Sequence, residues 1–220
     1  MKLLFILSIV CLTTFSSCFL NPNCKTGKGE IITQVRKTDA FDQVVVEGSC
    51  NVHILYDSII SVKVKDYQNI VDFMETNMIH NKLTISYKKF SCVTNSKSEV
   101  FITLPHLKSL SVEGSGDIDV SGKFKEKQIS AVISGSGDIK FIKSDTINFL
   151  NAEINGSGNI IASEMPALSC QASINGSGDI RVNAIENLKA NISGSGSILY
   201  KGKSQLDSKI NGSGEIKADK

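Results

Sequence analysis

Ile174-Asn-Gly-Ser-Gly-Asp-Ile180 is one copy of a phrase that occurs six times in the second half of this 220-residue chain. The copies recur every 18 to 21 residues. A fixed period of this length is typical of a solenoid, in which each repeat is one coil that buries its apolar side chains by stacking on neighbouring coils. The phrase therefore favours a repetitive structural scaffold over an enzyme. The other copies begin at Val112, Ile133, Ile154, Ile192 and Ile210.

The sequence around each copy alternates strictly, with an apolar residue or glycine at every second position, as in residues 170–182. Successive side chains of a β-strand point to opposite sides, so a period of two predicts strands with one buried face. Coils of about 18 to 22 residues hold two or three short strands. The sequence therefore predicts an all-β fold, a parallel β-helix with ladders of Ile and Val inside and Asn, Ser and Asp outside.

Two glycines occur in each copy, and we expect them to bend the strand at a corner and to let the walls of a narrow coil approach closely. Both tasks are structural. These glycines are Gly114, Gly116, Gly135, Gly137, Gly156, Gly158, Gly176, Gly178, Gly194, Gly196, Gly212 and Gly214.

The first half follows the same pattern less clearly. The segment Val44–Ile54 matches the repeat, with Cys50 at the position of the second glycine. Gly48 and Gly114 are 66 residues apart, which predicts three intervening coils of 22. Terminal repeats of solenoids are usually atypical, which accounts for the missing glycines.

Other segments of the first half are assigned with less detail. We expect strands at Lys82–Lys88 and Glu99–Leu104. The segment Asn69–Ile79 fits either a helical turn or a long edge loop. The predicted β-helix domain spans residues 35–220.

The N-terminus has the features of an export signal. Met1-Lys2 is followed by the short apolar run 3–12, which predicts a signal peptide at residues 1–17. Phe15-Ser-Ser-Cys18 then resembles the bacterial lipobox, with Phe15 in place of the usual Leu, and predicts lipidation of Cys18. Ordinary signal-peptidase cleavage near Ser17 is the alternative. Residues 18–34 are interpreted as a lipidated N-terminus and flexible leash that anchors the protein to the outer membrane, on a face that the sequence does not decide.

The charge distribution argues against nucleic-acid binding. The net charge is +2, the lysines are scattered among acidic residues, and tryptophan is absent. Nucleic-acid-binding surfaces instead combine basic clusters with aromatic residues. Net charge near zero also provides no broad electrostatic attraction for other partners.

Short polar residues follow the second glycine and form one predicted outward column. Calcium binding is one interpretation, because glycine-rich turns ending in Asp bind calcium in nonapeptide β-rolls. These coils are at least twice as long, so we favour turn hydrogen bonding and predict no metal and no cofactor. A companion column precedes the first glycine, and together the two columns are a candidate polar binding ladder. Its residues are Asn155, Asn175, Asn211, Asp117, Asp138, Asn159 and Asp179.

The sequence offers no set of residues for catalysis. His53, His80 and His106 are far apart without triad or metal spacing, and no pair of carboxylates is unique enough for acid and base roles. His53 alternates with apolar neighbours and is expected to face solvent. We therefore predict that the protein is not an enzyme.

Four cysteines follow Cys18 in the sequence. Cys50 and Cys170 fall in the inward register, and Cys170 is expected to be a buried small side chain. Cys50 with Cys92 is the favoured disulfide, although sequence alone does not determine connectivity. Cys24 is the fourth.

The leader, the opening Phe41-Asp-Gln-Val-Val-Val46-Glu-Gly48-Ser and the serial Ile-Asn-Gly-Ser-Gly-Asp-Ile together resemble the head GIN domain family, described as autotransporter adhesins. The likeness covers about Val35–Lys217. It implies a right-handed parallel β-helix, exported by Bacteroidota-type bacteria, with no established activity and no catalytic residues.

We therefore expect a lipid-anchored, non-enzymatic protein of the cell envelope that acts in adhesion through a glycan or an envelope protein. A structural or sensory envelope protein without a small ligand is the alternative, and a polysaccharide-acting enzyme has less support. The last repeat ends at Ile216, leaving four residues to cover an open strand edge. Uncovered edges pair with other chains, so we also expect a homo-oligomer.

Overall fold

A computed structural model describes residues 24–88 and 92–219. The predicted signal peptide 1–17 and Cys18 lie outside the described residues. A short helix α1, Gln68–Val71, separates β5 from β6. Strands β1 to β19 are, in chain order, Lys25–Thr26, Ile31–Arg36, Gln43–Gly48, Asn51–Tyr56, Ser61–Tyr67, Met74–Ile79, Lys82–Tyr87, Val93–Thr94, Glu99–Leu104, Ser109–Gly114, Ile118–Ser121, Gln128–Gly135, Ile139–Lys143, Ile147–Gly156, Ile160–Gly176, Asp179–Gly194, Ser197–Lys201, Gln205–Gly212 and Glu215–Ala218.

Each coil contributes one strand to each of two walls, which meet at the Gly-Ser-Gly corner. In the first wall, parallel strands follow the order β7, β3, β10, β12, β14, the second halves of β15 and β16, and β18. In the second wall, the order is β9, β4, β11, β13, the first halves of β15 and β16, β17 and β19. The prediction of an all-β solenoid of stacked parallel coils is confirmed.

The core is a set of columns that run along the stack. Val112, Ile133, Ile154, Ile174 and Ile192 lie opposite one another in successive strands of the first wall, and each is at most 1% exposed. The period of two in the sequence produces these columns, because only alternate side chains point inward. Burial of apolar surface between coils stabilises the stack.

The N-terminal end of the stack differs from the prediction. β3 pairs directly with β10, with Gly48 opposite Gly114, so three coils of 22 residues do not lie between them. The intervening chain instead adds β7 and β9 on the other side of β3 and β4. Antiparallel strands then cover that coil: β6 pairs with β7, β5 with β9, and β2 with β5. The reversal of direction ends the repeat and caps the stack.

The structure decides two local assignments at the N-terminal end of the stack. The strands predicted at Lys82–Lys88 and Glu99–Leu104 are β7 and β9. The segment Asn69–Ile79 contains a helical turn followed by β6, rather than a long loop.

A disulfide ties the start of the described chain to this cap, and it joins Cys24 to Cys92. The favoured Cys50–Cys92 pairing is therefore wrong. Cys50 is a free thiol, 1% exposed in the column of corner residues, and its inward direction separates it from the cap surface. β1 pairs with β8 next to the disulfide, and β2 pairs with β5. Ordered β-structure thus begins before residue 35, and the later part of the predicted leash 18–34 is held against the solenoid.

No helix within residues 24–88 and 92–219 combines the length and apolar character that a membrane crossing requires.

Candidate functional site

The Gly-Ser-Gly corner is packed backbone against backbone. The first glycines of successive copies lie opposite one another. The φ angle of Gly156 is +149°, which side chains rarely adopt. A methyl group added to Gly156 or Gly158 would collide with the carbonyl oxygen of the equivalent glycine in the preceding coil, Gly135 or Gly137. The corner glycines therefore leave no room for side chains, and they bring no reactive group to the surface.

The column after the second glycine forms a hydrogen-bonded ladder. The Oδ1 atoms of Asp117, Asp138, Asn159 and Asp179 each accept the backbone N–H one coil further on, at 2.9, 2.8, 3.2 and 2.9 Å, and the last donor is Ser197. These bonds favour the turn and stacking interpretation of the column. In the described part of the chain, no group of three or more His, Cys, Asp or Glu side chains is arranged to hold a metal ion.

The companion column is exposed and weakly connected. Asn155 lies opposite Asn175 in the neighbouring strand, and Asn211 lies two coils further along. All three side chains are exposed. The amide of Asn155 donates to Glu153 of its own strand at 2.9 Å. The candidate polar ladder therefore splits into a structural column and a solvated column.

A groove on the outside of the second wall combines aromatic, imidazole and carboxylate side chains, a combination that neither polar column offers. β9, β4 and β11 are neighbours, with Phe101 opposite His53 and His53 opposite Asp119. The rings of Phe101 and His53 stack at 5.2 Å between centroids with 26° between planes. His53 Nδ1 lies 3.6 Å from Asp119 Oδ2. One row of side chains thus runs from an aromatic ring through an imidazole to a carboxylate.

The apolar half of this groove has a volume of about 310 Å³ and includes Leu55, Phe101 and Ile142 in its lining. These side chains are 51%, 38% and 48% exposed. Large apolar side chains that share one concave surface mark binding sites more often than scattered ones do. The volume is at the small end of the range for ligand sites, about 300 to 1,000 Å³.

The polar half of the groove has a volume of about 160 Å³ and shares His53 and Asp119 with the apolar half. It adds Asp117, Asp138 and Lys140, so the ladder column forms one of its margins. Carboxylates accept hydrogen bonds and the lysine ammonium donates them. We define the second-wall groove as these two halves together.

A charged pair between β5 and β9 lies beside the groove. Lys65 Nζ contacts Glu99 Oε2 at 2.6 Å. The hydrogen bond from Lys65 lowers the pKa of the Glu99 carboxyl below its ordinary value. Glu99 therefore remains a carboxylate at neutral pH and is unsuited to donate a proton.

The remaining titratable candidates are dispersed. His106 lies beside Glu126 at 2.8 Å, and His80 lies in the turn between β6 and β7 with φ of 55°. Burial raises the pKa of the Cys50 and Cys170 thiols to about 12, so neither is a nucleophile at neutral pH. None of these four residues lines the second-wall groove.

The sequence analysis missed Phe101, Leu55, Asp119 and Ile142 as site residues. The alternation in Val100-Phe101-Ile102 is a signal that the aromatic ring faces outward. Its neighbours depend on the strand order β9, β4, β11, in which residues separated by 48 positions become adjacent. The position of β9 beside β4 depends on the irregular antiparallel strands of the cap. No local sequence pattern therefore reveals this strand order.

Comparison with known proteins places this geometry in a family. A family model described as "Putative auto-transporter adhesin, head GIN domain" matches residues 40–204. No curated protein matches the chain.

Solved structures share the fold. A "putative adhesin" from Bacteroides fragilis superposes with a TM-score of 0.73 at 24% identity, covering 88% of this chain and 99% of its own. A "putative lipid binding protein" from Parabacteroides distasonis gives 0.57 at 24% identity over 89% and 99%. A "putative adhesin" from Parabacteroides merdae gives 0.52 at 19% identity over 90% and 100%.

These names refer to adhesion or lipid binding rather than to a reaction. The family match covers more than half of the chain, including every corner from Gly48 to Gly196. The protein belongs to the head GIN domain family.

Proposed function

We infer that this protein is an exported, lipid-anchored and non-catalytic binding protein of the cell envelope, and that it adheres to a glycan through the second-wall groove. The observation that carries this inference is the row Phe101, His53, Asp119, which joins an exposed aromatic ring to hydrogen-bonding groups on one surface. The name of its family supports an envelope role.

The chemistry of the groove suits a sugar. A sugar ring has an apolar C–H face and a rim of hydroxyl groups, and a site for it needs apolar surface and polar groups at once. Phe101, Leu55 and Ile142 supply the apolar surface. Asp119 and Lys140 supply an acceptor and donors for hydroxyl groups. The open shape fits the end or side of a longer glycan.

The N-terminal features support anchoring at the same end as the cap. Lipidation at Cys18 would attach the chain to the outer membrane six residues before Cys24, which the disulfide holds against the cap. Burial of acyl chain in the bilayer favours attachment by about 0.8 kcal/mol per methylene. The solenoid then projects its far end, with β18 and β19, away from the anchor, and the groove lies nearer the anchored end.

Binding of the fluorescently labelled protein to a glycan array tests the proposal. The unmodified chain from residue 24 onward, which keeps every described element, is compared with Phe101→Ala. Phe149→Ala is the matched control, because Phe149 is 37% exposed against 38% for Phe101 and lies in the first wall. We expect Phe101→Ala to lose the glycans that the unmodified protein and the control retain.

Other outcomes point elsewhere. Equal glycan binding by Phe101→Ala and the control would remove the groove as the site. Absence of any glycan signal, with binding of lipid vesicles that Phe101→Ala abolishes, would keep the groove and replace the ligand class. Turnover of an arrayed glycan would contradict the non-catalytic part of the proposal.

A structural envelope protein that assembles with itself is a second candidate. The observation that favours it is the exposed edge of β18, with Leu206 38% and Ile210 45% exposed.

A further inference from the structure

The outer edge of β18 is unpaired among the described residues. β18 pairs with β16 on one side, and no register pairing among the described residues occupies its other side. Leu206 and Ile210 are register partners of Leu188 and Ile192, which are 1% exposed, and so continue the inward columns. They are themselves 38% and 45% exposed. Such an edge is a template for pairing with another strand.

The backbone hydrogen bonds between strands of the first wall show which backbone groups of β18 are free at this edge. The amide of Ser130 donates to Lys108 of the preceding coil at 2.9 Å, and its register equivalent in the last coil is Asp207. Backbone groups in a strand alternate between the two neighbouring strands, so the N–H and C=O groups of Leu206, Ser208 and Ile210 point to the open edge.

We propose that this edge binds a second copy of the chain, with the two β18 strands antiparallel about a two-fold axis at Ser208. In this register each Leu206 lies opposite the partner's Ile210 on the inward side. Each Asp207 lies opposite the partner's Lys209 on the outward side. The inward residues are the ones with free backbone groups, so they also exchange the new hydrogen bonds.

Charge selects this register over its two neighbours. Centring the axis on Asp207 places two aspartates opposite each other, and centring it on Lys209 places two lysines opposite each other. Like charges directly opposite destabilise a strand pair, whereas opposite charges stabilise it. The strand is therefore complementary to itself in one register, as a two-fold interface requires.

The arrangement fixes the direction of the two solenoids. β18 and β19 end the two walls, and the antiparallel strands β2 and β5 with the Cys24–Cys92 bond lie at the other end. A dimer through β18 points the two caps away from each other. This inference does not depend on the second-wall groove, which lies nearer the cap.

Sedimentation velocity of the chain from residue 24 onward tests the pairing. We expect a dimer for the unmodified protein at high micromolar concentration. Asp207→Lys and Lys209→Asp each place like charges opposite and should weaken association by about tenfold or more. The double variant Asp207→Lys/Lys209→Asp restores opposite charges and should dimerise again.

Two controls separate pairing from misfolding. Asp39→Lys makes the same charge change at an exposed residue of the other end and should remain dimeric. Asp207→Lys also approaches Lys189 within its own chain, and circular dichroism of each variant checks the fold. A monomeric unmodified protein, or a double variant no more associated than the single variants, would overturn the proposal.

Discussion

At the scale of single residues, the fold depends on the absence of side chains at the corner. Gly158 illustrates the constraint, because a β-carbon there would collide with the backbone oxygen of Gly137 and would lie 3.1 Å from Ile133. Both obstacles belong to the preceding coil, so relief would require the coils to separate. The glycines recur in the sequence because each coil contacts the backbone of the preceding coil at this corner.

Substitution of Gly158 by alanine should therefore destabilise the protein by about 2 to 3 kcal/mol, since overpacking forces backbone shifts. Ser157→Ala, at the exposed residue between the two glycines, should change the free energy of unfolding by less than about 0.5 kcal/mol. Urea denaturation of the three proteins measures the difference. Equal stability of both variants would refute the packing argument.

Asp138 belongs to the hydrogen-bonded column. Its Oδ1 accepts from the backbone and the side-chain amide of Asn159 at 2.8 and 2.9 Å. Asp138→Ala removes this acceptor and should cost about 1 to 2 kcal/mol, whereas Asp138→Asn retains an oxygen there and should cost less. Asn175→Ala, in the solvated column, serves as the neutral control. The ranking is measured by thermal denaturation, and a neutral Asp138→Ala would show that the ladder contributes little.

The buried thiols predict a pH dependence. Burial raises the pKa of Cys50 and of Cys170 from 9.0 to about 12. Above pH 9 the unfolded chain releases protons that the folded chain retains, so the free energy of unfolding falls as pH rises from 9 to 12. The loss is at most about 1.4 kcal/mol per pH unit for each thiol. Urea denaturation at pH 8 to 11 should show a shallower decline in the double variant Cys50→Ala/Cys170→Ala, and an unchanged slope would contradict this.

At the scale of elements, the disulfide holds β1 and β8 together as a short parallel pair on the cap. The amide of Lys25 donates to the carbonyl of Cys92 at 2.7 Å, which extends the connection into the backbone. These two-residue strands have too few hydrogen bonds to persist alone, so the crosslink stabilises the start of the chain.

Cys92→Ser should lower the free energy of unfolding by about 2 to 4 kcal/mol, because the bond closes a loop across 68 residues. Cys24→Ser removes the other half of the same bond and should lower the free energy of unfolding by a similar amount. Thiol titration of the denatured chain from residue 24 should find two thiols without reductant and four with it. Four without reductant would exclude the bond.

The sequence predicts the regular elements because each coil is specified locally. Alternation defines the inward side chains, and the glycine phrase marks each corner, so β12 to β19 follow from pattern alone. The cap does not follow, because β5 and β6 reverse direction and pair with strands that are distant in the sequence. The groove depends on the same pairing. Phe101, His53 and Asp119 become neighbours only when β9 and β11 lie on either side of β4.

At the scale of the whole molecule, the two ends and the two walls differ in kind. One end is capped by antiparallel strands and a disulfide, and the other exposes the inward residues of β18. The corner is occupied by structural hydrogen bonds, whereas the second-wall groove offers Phe101, His53 and Lys140, whose side chains take no part in the hydrogen-bonded ladder. The central claim is that recognition takes place in the groove rather than along the exposed asparagine column.

A pull-down from intact cell envelopes tests that claim most directly. The unmodified protein is compared with a groove variant, Phe101→Ala/Asp119→Ala, and with a ladder variant, Asn155→Ala/Asn175→Ala, after each is shown to fold. We predict that envelope components are captured by the unmodified protein and the ladder variant but lost from the groove variant. Capture by the groove variant, with loss from the ladder variant, would contradict the claim and assign recognition to the exposed asparagine column.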